Sequence, residues 1–325
     1  MNIFFKISIL TLLSGKVFSQ DSLKLLAPSP EYNKSRFAAV LGTQIAGYGG
    51  SLALLSNAWY KDYDQTSFHT FNDSKEWLQM DKAGHFATAW YMGRISSDMY
   101  RWSGVSRGKA ALYGTAGSFL YMTGIEVLDG FSNGWGFSWS DLGANVLGSG
   151  LMFSQQWLKD FKEHYGCTCD RSYHHRRTNG FIGMSLKYSY HPTGFPKFRP
   201  SLLGKTISEQ LLKDYNGQAY WLSFNVFSFL YAENKFPKWL NVAVGYGAEG
   251  MISGTPGYTY TYPNGNTVEF QRYRQYYLSL DIDLTKIKTK SHFLKTIFEA
   301  ISFIKIPAPT VEFNKHGIKL HPIYY

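Results

Sequence analysis

From Phe37 to Tyr60 the chain carries no charged side chain, a stretch long enough for a membrane helix on length alone. Inside it Ala38, Gly42, Ala46 and Gly50 recur every four residues, a small-residue stripe that predicts the close approach of a second helix. Residues 62 to 80 are polar and read as a loop. A helix follows from Asp81 to Tyr100, with Phe86, Trp90 and Ile95 among its apolar positions. Ala110 to Ile125 is again uncharged, with Ala110, Gly114 and Ser118 as a second small-residue stripe and Glu126 at its end. Gly130, Gly134 and Gly136 then break the pattern, and Ser138 or Ser140 predicts the N-cap of a helix running toward Phe161. Long helices joined by short connections predict a compact bundle.

After Gly180 the period changes to two. Ile182, Met184, Leu186, Tyr188 and Tyr190 alternate with Gly183, Ser185, Lys187 and Ser189, which predicts a strand with one apolar face. Tyr220 to Val226, Leu240 to Ala248 and Tyr276 to Leu284 repeat the alternation. Pro263-Asn264-Gly265-Asn266 reads as a turn, with a long strand from Val268 to Leu284 after it. Phe293, Leu294, Ile297, Phe298, Ile301 and Ile304 form one face of an amphipathic helix, expected to pack on the sheet, with a membrane-surface helix as the alternative. The fold class is therefore α+β: an N-terminal small-residue-rich helical bundle followed by an antiparallel β-sheet or partial barrel with one amphipathic helix. Aromatic alternating strands also suit a closed outer-membrane barrel, although about five or six strands fall short of the smallest such barrels. The expected division is a signal peptide over 1–20, a helical domain over 21–165, a basic linker over 166–179 and a β-rich domain over 180–325.

Three polar signatures interrupt the uncharged helical half: Asp81-Lys82-Ala83-Gly84-His85-Phe86, Glu126-Val127-Leu128-Asp129-Gly130, and Ser138-Trp139-Ser140-Asp141-Leu142-Gly143-Ala144-Asn145. Asp81 and His85 are four apart and share a helical face; Glu126 and Asp129, and Asp141 and Asn145, are spaced so that each pair can point one way. An ionised carboxylate among apolar helices is costly unless paired, so these groups are expected to meet. His85, Asp81, Glu126 and Asp141 are the candidates for acid–base catalysis. His85, Glu126, Asp129 and Asp141 are the candidates for holding one divalent metal ion, and Lys82 and Asn145 complete the polar set. No H-E-x-x-H occurs. The bland reading is a buried hydrogen-bond network that fixes helix register, or simple N-capping.

In the order D-K-x-x-H-F, E-x-x-D-G and G-F-S-W-x-D-x-x-A-N-x-x-G, residues from about Trp77 to Trp157 resemble the YfiM-like family of uncharacterised bacterial envelope proteins, a domain of unknown function. A looser likeness runs to VanZ-like membrane proteins, which share D-K-x-x-H, the later Glu and D-x-x-x-N-x-x-G. Their usual Gln and Arg are absent here, where Asp129 and Gly134-Trp135-Gly136 stand, so the first family fits better. The resemblance implies a compartment and a fold element rather than a reaction.

Composition sharpens the address. Lys6, an apolar run from Ile7 to Leu13, and Val17-Phe18-Ser19 before Gln20 follow the order of a secretory signal. No Cys lies near that cleavage point, which departs from family members that look like lipoproteins. The 325 residues, 44% hydrophobic, exclude general disorder. A net charge of +10 with 18% aromatic residues would suit nucleic acid, but export argues against that partner and for anionic lipid headgroups or other acidic envelope components. His164, Cys167, Cys169, His174 and His175 invite a metal reading, yet C-x-C followed by H-H is not a zinc spacing, and they are expected to be surface residues. The sum is an exported, membrane-associated protein of the outer membrane or periplasm of a Gram-negative bacterium, with a structural or binding cluster. The alternative is a metal-dependent or acid–base hydrolase acting on an envelope lipid or glycan.

Overall fold

A computed structural model describes residues 27–56, 63–165, 183–225 and 237–324. The expected signal peptide and the basic linker, with Cys167, Cys169, His174 and His175, lie outside the described residues. Four long helices come first: α1 (Lys34–Leu55), α2 (Met80–Trp102), α3 (Arg107–Gly130) and α4 (Trp139–Tyr165). Glu126 does not end its helix, which runs on to Gly130 and so keeps both Glu126 and Asp129 helical. The Ala110/Gly114/Ser118 stripe packs as its spacing predicts. A Cβ on Gly114 would fall 2.6 Å from the Gly93 carbonyl oxygen and the Ser97 nitrogen of α2, and the Ser118 hydroxyl donates to the Ala89 carbonyl at 2.8 Å.

The first stripe does the opposite. Ala38, Gly42, Ala46 and Gly50 are exposed, and nothing lies within 4 Å of a Cβ added at Gly42 or Gly50. Polar side chains at helical spacing choose the docking side instead: Gln44 accepts from Tyr100 at 2.7 Å, Tyr48 bonds Ser96 at 2.7 Å, and Ser51 donates to Tyr121 at 3.0 Å. Of the described helices α1 alone is long and apolar enough to cross a membrane by length and composition, and little of it is buried.

The second half forms a six-stranded antiparallel sheet from β1 (Ser185–Tyr190), β2 (Gln218–Asn225), β3 (Leu240–Glu249), β6 (Tyr273–Ile282), β7 (Ala308–Asn314) and β8 (Gly317–Tyr324), in that spatial order. A separate ribbon, β4 (Thr259–Thr261) with β5 (Thr267–Glu269), flanks the predicted turn. The long strand expected over 268–284 is thus two. Residues 192–217 hold two short helices, α5 (Pro200–Leu203) and α6 (Ile207–Lys213). β1 and β8 do not pair with each other, but the free edge of β1 is bridged: the Tyr188 amide donates to the Phe303 carbonyl, and the Lys305 amide to the Tyr188 carbonyl, both at 2.8 Å. The architecture is a partial barrel. The helices dock on it through Trp90 and Met152, which pack with Leu186, Tyr220 and Leu222.

The alternation of this sheet is inverted. Lys187, Ser223, Asn241, Gln275, Asp281 and Glu312 are buried inside the curl with Trp221 and Tyr277. Val244, Leu278 and Leu320 stand in one cross-strand row through Val311, and Tyr276, Phe313 and Ile318 in the next, with these six side chains exposed on the outer face. The amphipathic segment forms α7 (His292–Ala300), with Ile297 and Phe298 half-buried. Phe293 and Leu294 point to the outside, 66% and 42% exposed. The helix contacts the short turn at Leu284–Lys286.

Candidate functional site

The three polar signatures meet, and a fourth group joins them. Ser138 starts α4 by accepting from the Asp141 amide at 3.0 Å, which sets Asp141 in the first turn. Asp73 comes from the loop before α2. That loop runs beside residues 130–137, with the Phe71 amide donating to the Phe137 carbonyl and the Phe137 amide to the His69 carbonyl, both at 3.0 Å. The pairing delivers Asp73 to the Ser138 and Ser140 hydroxyls at 2.6 and 2.8 Å. Lys82 fills the centre. Its ammonium lies 2.6 Å from Asp73, 3.0 Å from Asp81 and 2.9 Å from Asp141.

His85 turns both ring nitrogens to this cluster. Nε2 is 3.7 Å from Asp81, and Nδ1 lies 3.3 Å from Glu126 and 3.2 Å from the Asn145 side-chain oxygen. Glu126 is 1% exposed and stands behind the imidazole. Asp81 also accepts from the Tyr215 hydroxyl at 2.6 Å, a residue from the sheet half. Asp129 lies on the wall of the adjoining cleft, outside the group formed by Asp81, His85 and Asp141, whose ligand atoms all fall within 4.8 Å of one another. Those three could hold a divalent ion, but the Lys82 ammonium already sits among their oxygens. Asp73 and Tyr215 are the members that sequence spacing did not reveal; each lies between elements, outside any helical spacing.

Six ionisable groups so close cannot all keep their ordinary protonation. Burial, with the negative charges of Asp141, Asp129 and Asp81, pushes Glu126 up to about 8 against the pull of His85. Burial and the Asp81 charge push Asp141 up to about 7. Burial opposes the charge on His85, yet Asp81, Asp141 and Glu126 outweigh it and raise the imidazole. Asp73 goes the other way in spite of its burial: hydrogen bonds to Asp141, Lys82 and Ser138 hold it at about 2. Near neutrality the cluster therefore keeps a proton on Glu126 and has His85 and Asp141 close to their titration, while Asp73 and Asp81 stay ionised, giving proton donors and proton acceptors side by side.

The cluster opens into a cleft of about 990 Å³ between the helices and the sheet half. Asp81, His85, Asp141 and Tyr215 form its polar end, while Leu55, Met92, Met122, Ile125 and Phe303 line an apolar flank. One backbone feature sets the polar end in place. Trp77, Leu78 and Gln79 are all left-handed, with φ of 47°, 50° and 64°, and lead directly into α2. This run is costly for side chains with a Cβ, roughly 1–2 kcal/mol per residue. Partners from the sheet half hold it: the Trp77 amide donates to the Gly254 carbonyl at 2.9 Å, the Tyr246 hydroxyl to the Leu78 carbonyl, and Arg274 to the Gln79 side chain at 2.5 Å.

Residues 69–155 match the model of a family described as "Predicted periplasmic lipoprotein (DUF2279)", in agreement with the resemblance carried by the motifs. The match covers well under half of the 325 residues. It takes in Asp73, Asp81, Lys82, His85, Glu126, Asp129, Asp141 and Asn145, and leaves out Tyr215 and the whole sheet. No curated protein and no solved structure matches the chain. The family description and the apolar N-terminal run agree on an exported protein of the cell envelope.

Proposed function

We propose that the protein works at the envelope membrane as an acid–base hydrolase of an envelope amphiphile. The observation that carries this reading is the cleft: a cavity at the large end of the ligand-pocket range, polar and proton-rich at one end and apolar along its flank. A dry, closed cluster would only lock helices together; this one faces a space wide enough for a lipid headgroup. In the reading, His85 in its neutral form takes the proton of a water through Nε2 while Glu126 and Asn145 hold Nδ1 from behind. Asp141, in its protonated form, gives its proton to the leaving oxygen, and Lys82 and Tyr215 keep Asp81 ionised beside the reacting atoms. The hydrocarbon lies along Met92, Met122 and Ile125.

Two surfaces support contact with lipid. The outer rows of the sheet expose apolar side chains over a polar interior, as in proteins whose solvent is a bilayer. The exposed Phe293 and Leu294 of α7 sit beside Lys290 and Lys295, the chemistry of a helix lying at a membrane surface. The test incubates purified protein with an envelope lipid extract and follows released fatty acid or headgroup by mass spectrometry. Turnover that His85→Ala removes and a chelator leaves intact is the expected result. Turnover lost to a chelator would favour a metal on Asp81, His85 and Asp141 instead, and co-purified lipid without turnover would reduce the function to binding.

A further inference from the structure

A second cavity, of about 90 Å³, opens on the other side of the helix–sheet junction, between α2, α4, β1 and the turn after β6. Four cations reach its wall, Arg94, Lys159, Lys187 and Lys286, against one carboxylate, Asp283. That carboxylate is turned into its own turn, where it accepts from the Thr285 amide at 3.0 Å and the Thr285 hydroxyl at 2.5 Å. Lys187 is buried and leans on Asp281 at 3.6 Å. Arg94 meets the exposed Asp98 only at 4.0 Å. Among the described residues, no carboxylate comes within ion-pair distance of the Lys159 or Lys286 ammonium. Burial, with the Arg94 and Arg107 charges, presses Lys159 down to about 8.

Positive charge gathered from both halves around a polar cavity, with so little counter-charge, is unfavourable until an anion enters. The space decides which anion. At about 30 Å³ per water it takes roughly three waters, or the few heavy atoms of one phosphate group, and has no room for the body of a ligand. We propose that this cavity binds a phosphate group, free or at the tip of an anionic lipid headgroup, with Lys159, Lys286 and Arg94 as its cationic contacts. A tetrahedral dianion suits donors that converge from three elements, and charge-assisted bonds of this kind are the strong ones. Once filled, the cavity ties α2 and α4 to β1 and the turn after β6 and removes the repulsion between them.

Thermal unfolding of the full chain in inorganic phosphate, against chloride at equal ionic strength, tests the site. Wild type should gain stability with phosphate, and Lys159→Met and the exposed Lys286→Gln should each weaken the apparent affinity about tenfold, the loss of one charge-assisted bond. Lys109→Gln, an exposed lysine on α3, should respond as wild type. Flotation with phosphatidylcholine vesicles, with and without phosphatidic acid, separates the two sources. Binding that needs phosphatidic acid, falls in Lys159→Met and is competed by inorganic phosphate assigns the site to a lipid headgroup. A phosphate response with vesicle binding indifferent to Lys159 assigns it to the free ion. No phosphate-dependent gain in wild type, or Lys159→Met and Lys286→Gln responding as wild type does, overturns the proposal.

Discussion

Two of the places where the protein buries charge differ in how that charge is answered. Inside the partial barrel Asp281 lies between Lys187 at 3.6 Å and Lys305 at 4.0 Å. Fixed groups satisfy most of that cluster: Lys305 donates to the Leu280 and Ile306 carbonyls at 2.7 and 2.8 Å, and Ser223 donates to Asp281 at 2.6 Å. In the helical half one lysine sits among three carboxylates, and Glu126, Asp141 and the Asn145 amide have buried atoms that lack a hydrogen-bond partner, against one such atom, Asp281 Oδ1, in the barrel cluster. The barrel cluster is closed; the helical one opens on a cleft. Charge matched by backbone serves stability, whereas charge left short of partners at a cavity serves chemistry.

Exchanging the roles of the two clusters is the way to break this contrast. The largest effect is expected from His85→Ala, which should lower lipid turnover by about 10²–10⁴-fold in a chain that still unfolds cooperatively in urea; loss of fold with no change in residual activity per folded molecule would make the helical cluster structural. Next comes Asp281→Asn. It leaves two buried ammonium groups without their counter-charge and should cost about 3–5 kcal/mol in urea unfolding, and a variant as stable as wild type would show that the barrel lysines are paired elsewhere.

A pH series sharpens the comparison. Glu126 is raised from its ordinary 4.5 to about 8, so the folded state holds its proton more tightly than the unfolded chain does. Its contribution to stability is complete below about 4.5 and lost as pH rises through about 8. Asp141 and His85, both raised, act in the same direction; Asp73 and Asp81, both lowered, act in the opposite one, at acid pH. Wild type should therefore lose stability relative to Glu126→Gln between about pH 5 and pH 8, by a few kcal/mol at most. Parallel curves over that window would mean that Glu126 is ionised and solvated after all. The smallest effects concern the stripes: Gly114→Ala, facing backbone at 2.6 Å, should cost roughly 1–3 kcal/mol, while Gly42→Ala, facing open space, should be neutral or gain a few tenths.

These stripes also mark the limit of what spacing reveals. Periodicity identifies a face and its chemistry, and so Asp81, His85, Glu126 and Asp141 could be read as convergent from their intervals on helices. It says nothing of what covers a face. The two small-residue stripes look alike in sequence, yet one meets the Gly93 backbone and the other meets solvent, because Gln44, Tyr48 and Ser51 dock α1 the other way round. The apolar face of α7 was legible for the same reason that its exposure was not. Asp73 and Tyr215 were invisible because each owes its place to a tertiary contact; Tyr215 reaches Asp81 across 134 residues of chain. β7 and β8 escaped because Pro309 and Pro322 interrupt an alternation too short to stand out.

The left-handed run from Trp77 to Gln79 has a consequence for how the molecule is assembled. Its clamps come from Tyr246 and Arg274, 168 and 195 residues further along the chain, so the first turn of α2 cannot settle while the chain emerges and the helices pack on themselves. Contacts of such separation are the last to form, since the loop they close must be ordered first. Helices can collapse early and still leave Asp81 and Lys82 misplaced. The polar cluster then snaps into register only when β3 and β6 arrive, which makes the barrel a late-acting template for a site built almost wholly from the other half of the chain.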